Sequence, residues 1–303
     1  MYMAKLADGI AFIAMASFWA VNYPFVKIAL EYEPPMMVLL FRVIFALVFS
    51  FAIFFRNMKI PKDMKTHLMI LGFSLLNITI FMGLWFTGEQ TVSASLSSLI
   101  IYSYPILMLV FSFLIIGEKL DRYKIAGTAV GFAGLITIFA DQIYIKPGLG
   151  IFLLLVAAVS WSLGTIYFKK YLSTGTDVFA VNTLQFAYAL PVIALWTFLD
   201  GTLSFSGLNI SFILVTLFMG SLGTAVAYFI FLFLFRKYSV SSISGLFFTV
   251  PALSVLFSYL ILGEVNTYFT YLGLVMISIG IYLTARKKRE TGKNAIKASS
   301  PGD

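Results

Sequence analysis

Pro105-Ile-Leu-Met-Leu-Val-Phe111-Ser112-Phe-Leu-Ile-Ile-Gly117-Glu118 returns 146 residues later as Pro251-Ala-Leu-Ser-Val-Leu-Phe257-Ser258-Tyr-Leu-Ile-Leu-Gly263-Glu264. The same offset carries Gly127 onto Gly273 and Gly134 onto Gly280. Upstream, Trp19-Ala-Val-Asn22-Tyr-Pro-Phe-Val-Lys27 aligns with Trp161-Ser-Leu-Gly164-Thr-Ile-Tyr-Phe-Lys169 at an offset of 142. Between them Arg42-Val-Ile-Phe-Ala-Leu matches Gln185-Phe-Ala-Tyr-Ala-Leu at 143. Collinear matches with a slowly drifting offset mark an internal repeat, and such self-similarity decides the architecture before any single helix is placed.

The repeated unit is built for lipid. Of 303 residues 60% are hydrophobic and 11% are charged, against roughly 25% charged in soluble domains. Phe alone occurs 32 times, more apolar surface than one soluble core of this size hides. This excludes a soluble enzyme, a nucleic-acid module and a disordered scaffold. Cysteine is absent and His67 is the single histidine, which removes thiolate sites, His-pair zinc sites and His-based triads.

Crossing the roughly 30 Å of hydrocarbon takes roughly 20 mostly apolar residues in a helix. Ten stretches qualify: 9–30, 36–55, 68–87, 94–116, 124–140, 149–168, 178–199, 211–235, 240–262 and 268–285. Short separators such as Glu33-Pro34-Pro35 and Lys146-Pro147-Gly148 leave no room for a soluble domain. Eighteen of the 21 basic residues fall on one side of this arrangement, from Lys5 through Arg56, Lys119, Lys169 and Arg236 to the run after Arg286. The positive-inside rule makes that side cytoplasmic and puts both termini there, so the net charge of +8 is a consequence of topology. Only about five apolar residues precede Ala14-Met15-Ala16, too few for a signal peptide, and the first segment is expected to be retained.

The repeat divides the chain into a first five-helix unit (1–145), a second (146–286) and a basic, disordered cytoplasmic tail (287–303). Five is odd, so the second unit enters the membrane upside down. Glu118 falls in a cytoplasmic loop and Glu264 in an external one, and Lys27 and Lys169 exchange sides likewise. Inverted repeats belong to secondary transporters, in which two halves expose a central site alternately to each face. The fold class expected is an all-α membrane protein of ten transmembrane helices in two inverted five-helix repeats.

Five plus five helices, Trp-x-x-Asn-x-x-Phe-x-Lys at residues 19–27, Phe41-Arg42, and Pro-(x)11-Gly-Glu at 105–118 and 251–264 resemble the drug/metabolite transporter superfamily, EamA type, over about residues 8 to 286. The resemblance implies a carrier of amino acids or similar metabolites, often an exporter, in the plasma membrane, with a small-molecule substrate and no cofactor. Gly164 in place of an asparagine is a departure that makes the halves unequal at that level.

Candidate substrate contacts are residues that place rings and neutral polar groups at mid-membrane. Trp19 and Asn22 share one face of the first segment, and Trp161 repeats Trp19. Asn22 needs a hydrogen-bond partner in hydrocarbon, supplied either by a neighbouring helix or by a cavity ligand. Asn77, Tyr102, Ser103, Thr224, Tyr228, Phe248 and Thr249 hold central positions in their segments, each readable as packing or as cavity wall. Together they suit an amphipathic solute with an apolar or aromatic side chain.

Arg42 is the one full charge deep in a segment, at an insertion cost of roughly 2.5–3.5 kcal/mol at a helix centre. It either meets a carboxylate or gating partner, or snorkels outward to backbone carbonyls. Glu118 and Glu264 read as helix-end residues that favour a following helix N-terminus, and Glu89 as a gate or proton site. Pro105 and Pro251, midway along their segments, predict matched kinks that act as hinges. Gly127, Gly131 and Gly134 predict close helix packing. A carrier of another metabolite class (nucleoside, organic anion or drug) is the competing substrate reading, and a channel or an intramembrane enzyme are the competing classes. The repeat argues against a channel, and the lack of Cys, of a His pair and of paired embedded acids against an enzyme.

Overall fold

The computed structural model describes residues 2–138, 140, 148–263, 265 and 267–285. Glu264 and the tail 287–303 lie outside the described residues. Among those described, every regular element is a helix. Turns and caps set the boundaries. α1 (Tyr2–Leu30) stops before Pro34-Pro35, and α2 (Pro35–Phe54) starts on a proline, whose missing N–H is no loss in a first turn. α3 (Met64–Glu89) starts at Asp63, whose carboxylate accepts the Thr66 N–H at 2.8 Å. Ser93 caps α4 (Ala94–Ile101) through the Leu96 N–H at 3.1 Å. α5 (Tyr104–Ile116) and α6 (Arg122–Ile138) follow, then α7 (Leu149–Leu172) and α8 (Val178–Leu199), the latter capped by Asp177. Asn209 caps α9 (Ile210–Lys237), and α10 (Val240–Leu262) and α11 (Tyr268–Ala285) complete the chain.

Seven of these helices are long and apolar enough to cross a membrane: α1 from Leu6, α2, α3, α7, α8, α9 and α10. Their outward faces match such a solvent, with Phe51, Phe198, Leu214 and Leu260 exposed, as are Leu114 and Val275 on the shorter α5 and α11.

The expected segment 94–116 is not one helix. It breaks at Tyr102-Ser103, and Pro105 is the second residue of α5. There its missing N–H has no intrahelical carbonyl to lose, so the discontinuity precedes the proline and replaces the expected mid-helix kink. In α10 a tight 3₁₀ turn, Ser244–Phe248, likewise precedes Pro251, the third residue of the regular stretch Thr249–Leu262. α5 and α10 both end on a left-handed glycine, Gly117 (φ 77°) and Gly263 (φ 69°), positions at which a Cβ would strain the backbone. α3 and α9 each contain a π-helical turn, Leu75–Ile80 and Ser221–Val226, again 146 residues apart.

α6 lies along α11, α1 along α10, α4 and α5 along α7, and α2 along α8. The α6–α11 seam is backbone on backbone. A Cβ on Gly280 would stand 2.6 Å from the Gly127 carbonyl oxygen, and one on Gly134 would stand 2.8 Å from that of Gly273. The glycine row of α6 therefore serves a helix pair within this chain.

Candidate functional site

A small void of about 10 Å³, room for roughly one water, lies at the centre of the bundle. α1 contributes Trp19 and Tyr23, α2 Arg42, and α3 Phe81, Met82 and Trp85. Tyr102, from the α4–α5 break, Trp161 of α7 and Tyr228 of α9 complete the wall. Small-molecule sites commonly measure about 300–1,000 Å³, far more than this void, so this conformation is closed down around its centre.

The wall is organised on Trp161. Its indole is sandwiched between Phe81, at 4.7 Å and 9° between planes, and Tyr104, at 3.8 Å and 12°. Trp19 meets it edge-on at 5.3 Å and meets Tyr228 at 5.5 Å. Aromatic pairs prefer offset-stacked and edge-to-face arrangements of this kind. Tyr104 is locked by a 2.8 Å hydrogen bond between its hydroxyl and that of Thr165. The Trp161 Nε1–H, by contrast, is buried without an acceptor.

Arg42 does not snorkel. It is 1% exposed, and its guanidinium lies 5.4 Å from the ring centroids of both Trp85 and Phe86. Its Nε–H donates to Thr224 Oγ1 at 2.7 Å. Thr224 in turn donates to the Met219 carbonyl at 2.7 Å, five residues back, which is the spacing that the π turn opens. Trp85 is held from its far side by donating its Nε1–H to the Glu89 carboxylate, which also accepts from Ser97 Oγ at 2.7 Å. Glu89 is itself fully buried.

The expected asparagines sit behind the wall. Asn22 donates from Nδ2 to the Gly223 carbonyl of α9 at 3.1 Å. Asn77 donates to Gln185 Oε1 at 3.2 Å, and Gln185 to Asn182 Oδ1 at 3.2 Å, tying α3 to α8. The two helix crossings use opposite halves of one device. Asn22 packs on Gly223, while Asn77 packs on Gly164, where a Cβ would stand 3.2 Å from the Asn77 Cβ. The 142 and 146 offsets exchange these pairs, so the departure at Gly164 is complemented at Gly223. A Cβ on Gly223 would fall 2.3 Å from Asn22 Oδ1. Gly223→Ala is accordingly expected to lower stability by about 1–3 kcal/mol, read as a drop in the melting temperature of the purified protein, with Gly9→Ala, whose Cβ meets nothing within 4 Å, as the unaffected control.

Of the other expected contacts, Phe248 is buried against Gly131 of α6. Ser103 and Thr249 are half-buried at the helix breaks, and Thr224 reaches the site by holding Arg42. Tyr23, Phe81, Met82 and Trp85 were not anticipated. Tyr23 lies one turn beyond Trp19 and was open to the same face argument.

Charged residues fasten the helix ends. The Glu118 carboxylate accepts the N–H groups of Val240 (3.0 Å) and Ser241 (2.9 Å), so it caps α10 rather than the helix that follows it. Lys124 Nζ donates to Ser241 and Ser242, and Lys237 pairs with Asp8. Tyr238 donates to the same carboxylate, which pushes its phenol above the ordinary value. Lys27 donates to the Glu89 carbonyl at 2.8 Å and Lys169 to the Phe235 carbonyl at 2.8 Å. Both donors and acceptors correspond under the repeat.

The profile of the EamA-like transporter family matches residues 8–140 and again 148–286. The chain is similar to the uncharacterized transporter YvbV of Bacillus subtilis, at 32% identity over 92% of this chain and 91% of the relative. It is also similar to a probable amino-acid metabolite efflux pump of Escherichia coli, at 27% identity over 97% and 99%. A solved crystal structure superimposes with a TM-score of 0.77 over 97% of this chain and 99% of the other, at 15% identity. With paired matches spanning nearly all of its length, a helical bundle with seven membrane-length apolar helices and an aromatic centre, this multi-pass membrane protein belongs to the EamA-like transporter family.

Proposed function

We infer that the protein is an alternating-access carrier that exports neutral or aromatic amino acids, or close metabolites, across the plasma membrane. On this reading the helices form ten spans, with α4 and α5 together making one and α6 and α11 counted among them. Residues 1–145 and 146–286 are inverted halves, and both termini are cytoplasmic. Support comes from the features that recur at one offset: the glycine C-caps, the π turns, the lysine-to-carbonyl bonds and the paired family matches.

The observation that carries the proposal is the closed central void. Its wall takes Trp19 and Trp85 from one half and Trp161 and Tyr228 from the other, so relative motion of the halves must open it. The Glu118 cap on α10 and the Asp8–Lys237 pair bridge the halves at the end that the basic loops assign to the cytoplasm. Release of these contacts would admit solute from that side. The amino-acid class draws on the ring-lined wall and on the relative named as an amino-acid metabolite efflux pump.

Counterflow tests it. Proteoliposomes preloaded with unlabelled phenylalanine or tryptophan are expected to accumulate the labelled amino acid saturably, and empty ones are not. A response to an imposed pH gradient would add proton coupling. No accumulation across an amino-acid panel by folded protein would end the amino-acid reading, and single-channel currents in a planar bilayer would end the carrier.

A further inference from the structure

We propose that Arg42 is the anion anchor of the central void: the transported solute carries a carboxylate, and that group docks on the Arg42 guanidinium. The proposal rests on the carrier reading for its transport arm only. Three observations support it. First, Arg42 lines the void although it is 1% exposed. A buried charge is retained at a cost, and in membrane proteins such groups mark solute pathways.

Second, the guanidinium is only partly satisfied. Nε is bonded to Thr224, and Nη2 makes a long 3.5 Å contact with the Gly223 carbonyl, while Nη1 has no partner. Arginine's planar fork suits bidentate capture of a carboxylate. The bond to Thr224 and the flanking Trp85 and Phe86 rings fix the plane of the fork before a solute arrives, which reduces the ordering cost of binding.

Third, the rest of the wall supplies what a carboxylate-bearing solute needs for its other end. Trp19, Trp161 and Tyr228 offer ring faces and edges across the same void, and the Trp161 Nε1–H is a second donor without an acceptor. An acid with an aromatic or bulky apolar group thus finds its charge and its body complemented together. An amine of the same shape would set its cation against Arg42.

The test compares phenylalanine, 3-phenylpropionate, phenylalaninamide and phenethylamine. Their binding to the purified protein is followed by intrinsic tryptophan fluorescence, and their competition by counterflow of labelled phenylalanine. The two acids are expected to bind roughly 10- to 100-fold more tightly than the amide and amine, as loss of a charge-assisted hydrogen bond implies. In Arg42→Gln that gap should shrink to less than about 3-fold, and Arg42→Lys should retain part of it. Equal binding of acid and amine by the wild-type protein would overturn the proposal even if Arg42→Gln fails to fold. So would an undiminished gap in a folded Arg42→Gln, or no binding of either acid. Acid-selective binding without counterflow would leave the anchor standing and remove the carrier.

Discussion

Trp161→Ala is expected to empty the middle of the site and to stop transport. The indole is stacked on both faces and struck on its edge by Trp19, so truncation deletes contacts that Phe81, Tyr104 and Trp19 cannot replace among themselves. Buried Phe or Trp to Ala changes cost about 3–5 kcal/mol, and each aromatic pair adds about 0.5–1.5 kcal/mol beyond its buried area. A fall in melting temperature at the large end of the single-mutant range should therefore accompany loss of counterflow. Trp161→Phe separates the two effects, because it keeps a ring between Phe81 and Tyr104 and removes only the Nε1–H. It should recover most of the stability while leaving a weaker affinity for solute. If Trp161→Ala transports at the wild-type rate, the aromatic void is not the solute path.

Gly280→Leu is expected to separate α6 from α11. Even the first carbon of a side chain there would stand 2.6 Å from the Gly127 carbonyl oxygen and 2.6 Å from the Gly131 nitrogen. Those neighbours are backbone, so no rotamer change gives relief and one whole helix must shift. Overpacking costs typically 1–3 kcal/mol where side chains can adjust, and this seam should lie at or above the top of that range. The measurement is recovery of monodisperse protein and its melting temperature. A Gly280→Leu protein as stable as wild type would mean that the helices do not meet there.

The sequence carried the architecture further than the site. Helices, charge asymmetry and the repeat are written in composition and in long apolar runs, and Trp19 and Trp161 stood out because one half repeats the other. Phe81 and Trp85 escaped for a physical reason. They lie four and eight residues beyond Asn77, which on an unbroken helix is the same face, but the π turn Leu75–Ile80 widens the helix and shifts the register between them. Asn77 consequently turns towards α8 while the two rings turn inward. Arg42 was undecided because its direction depends on Thr224, 182 residues away. The breaks before Pro105 and Pro251 could not be told from kinks, since proline is compatible with either.

The exchange of Asn22–Gly223 for Gly164–Asn77 bears on ancestry. Under the proposed inverted halves, an ancestral unit pairing with its own twin must have satisfied both crossings with a single pair of residues. The two halves of this chain differ at that pair. Two copies of residues 1–145 would bring Asn22 against Asn77, amide against amide, and two copies of the second half would bring Gly164 against Gly223 and leave a hole. The unlike pairing sets one amide against one glycine at both crossings. On that arrangement each half supplies one side of each contact, and the two halves are complements rather than copies at these crossings.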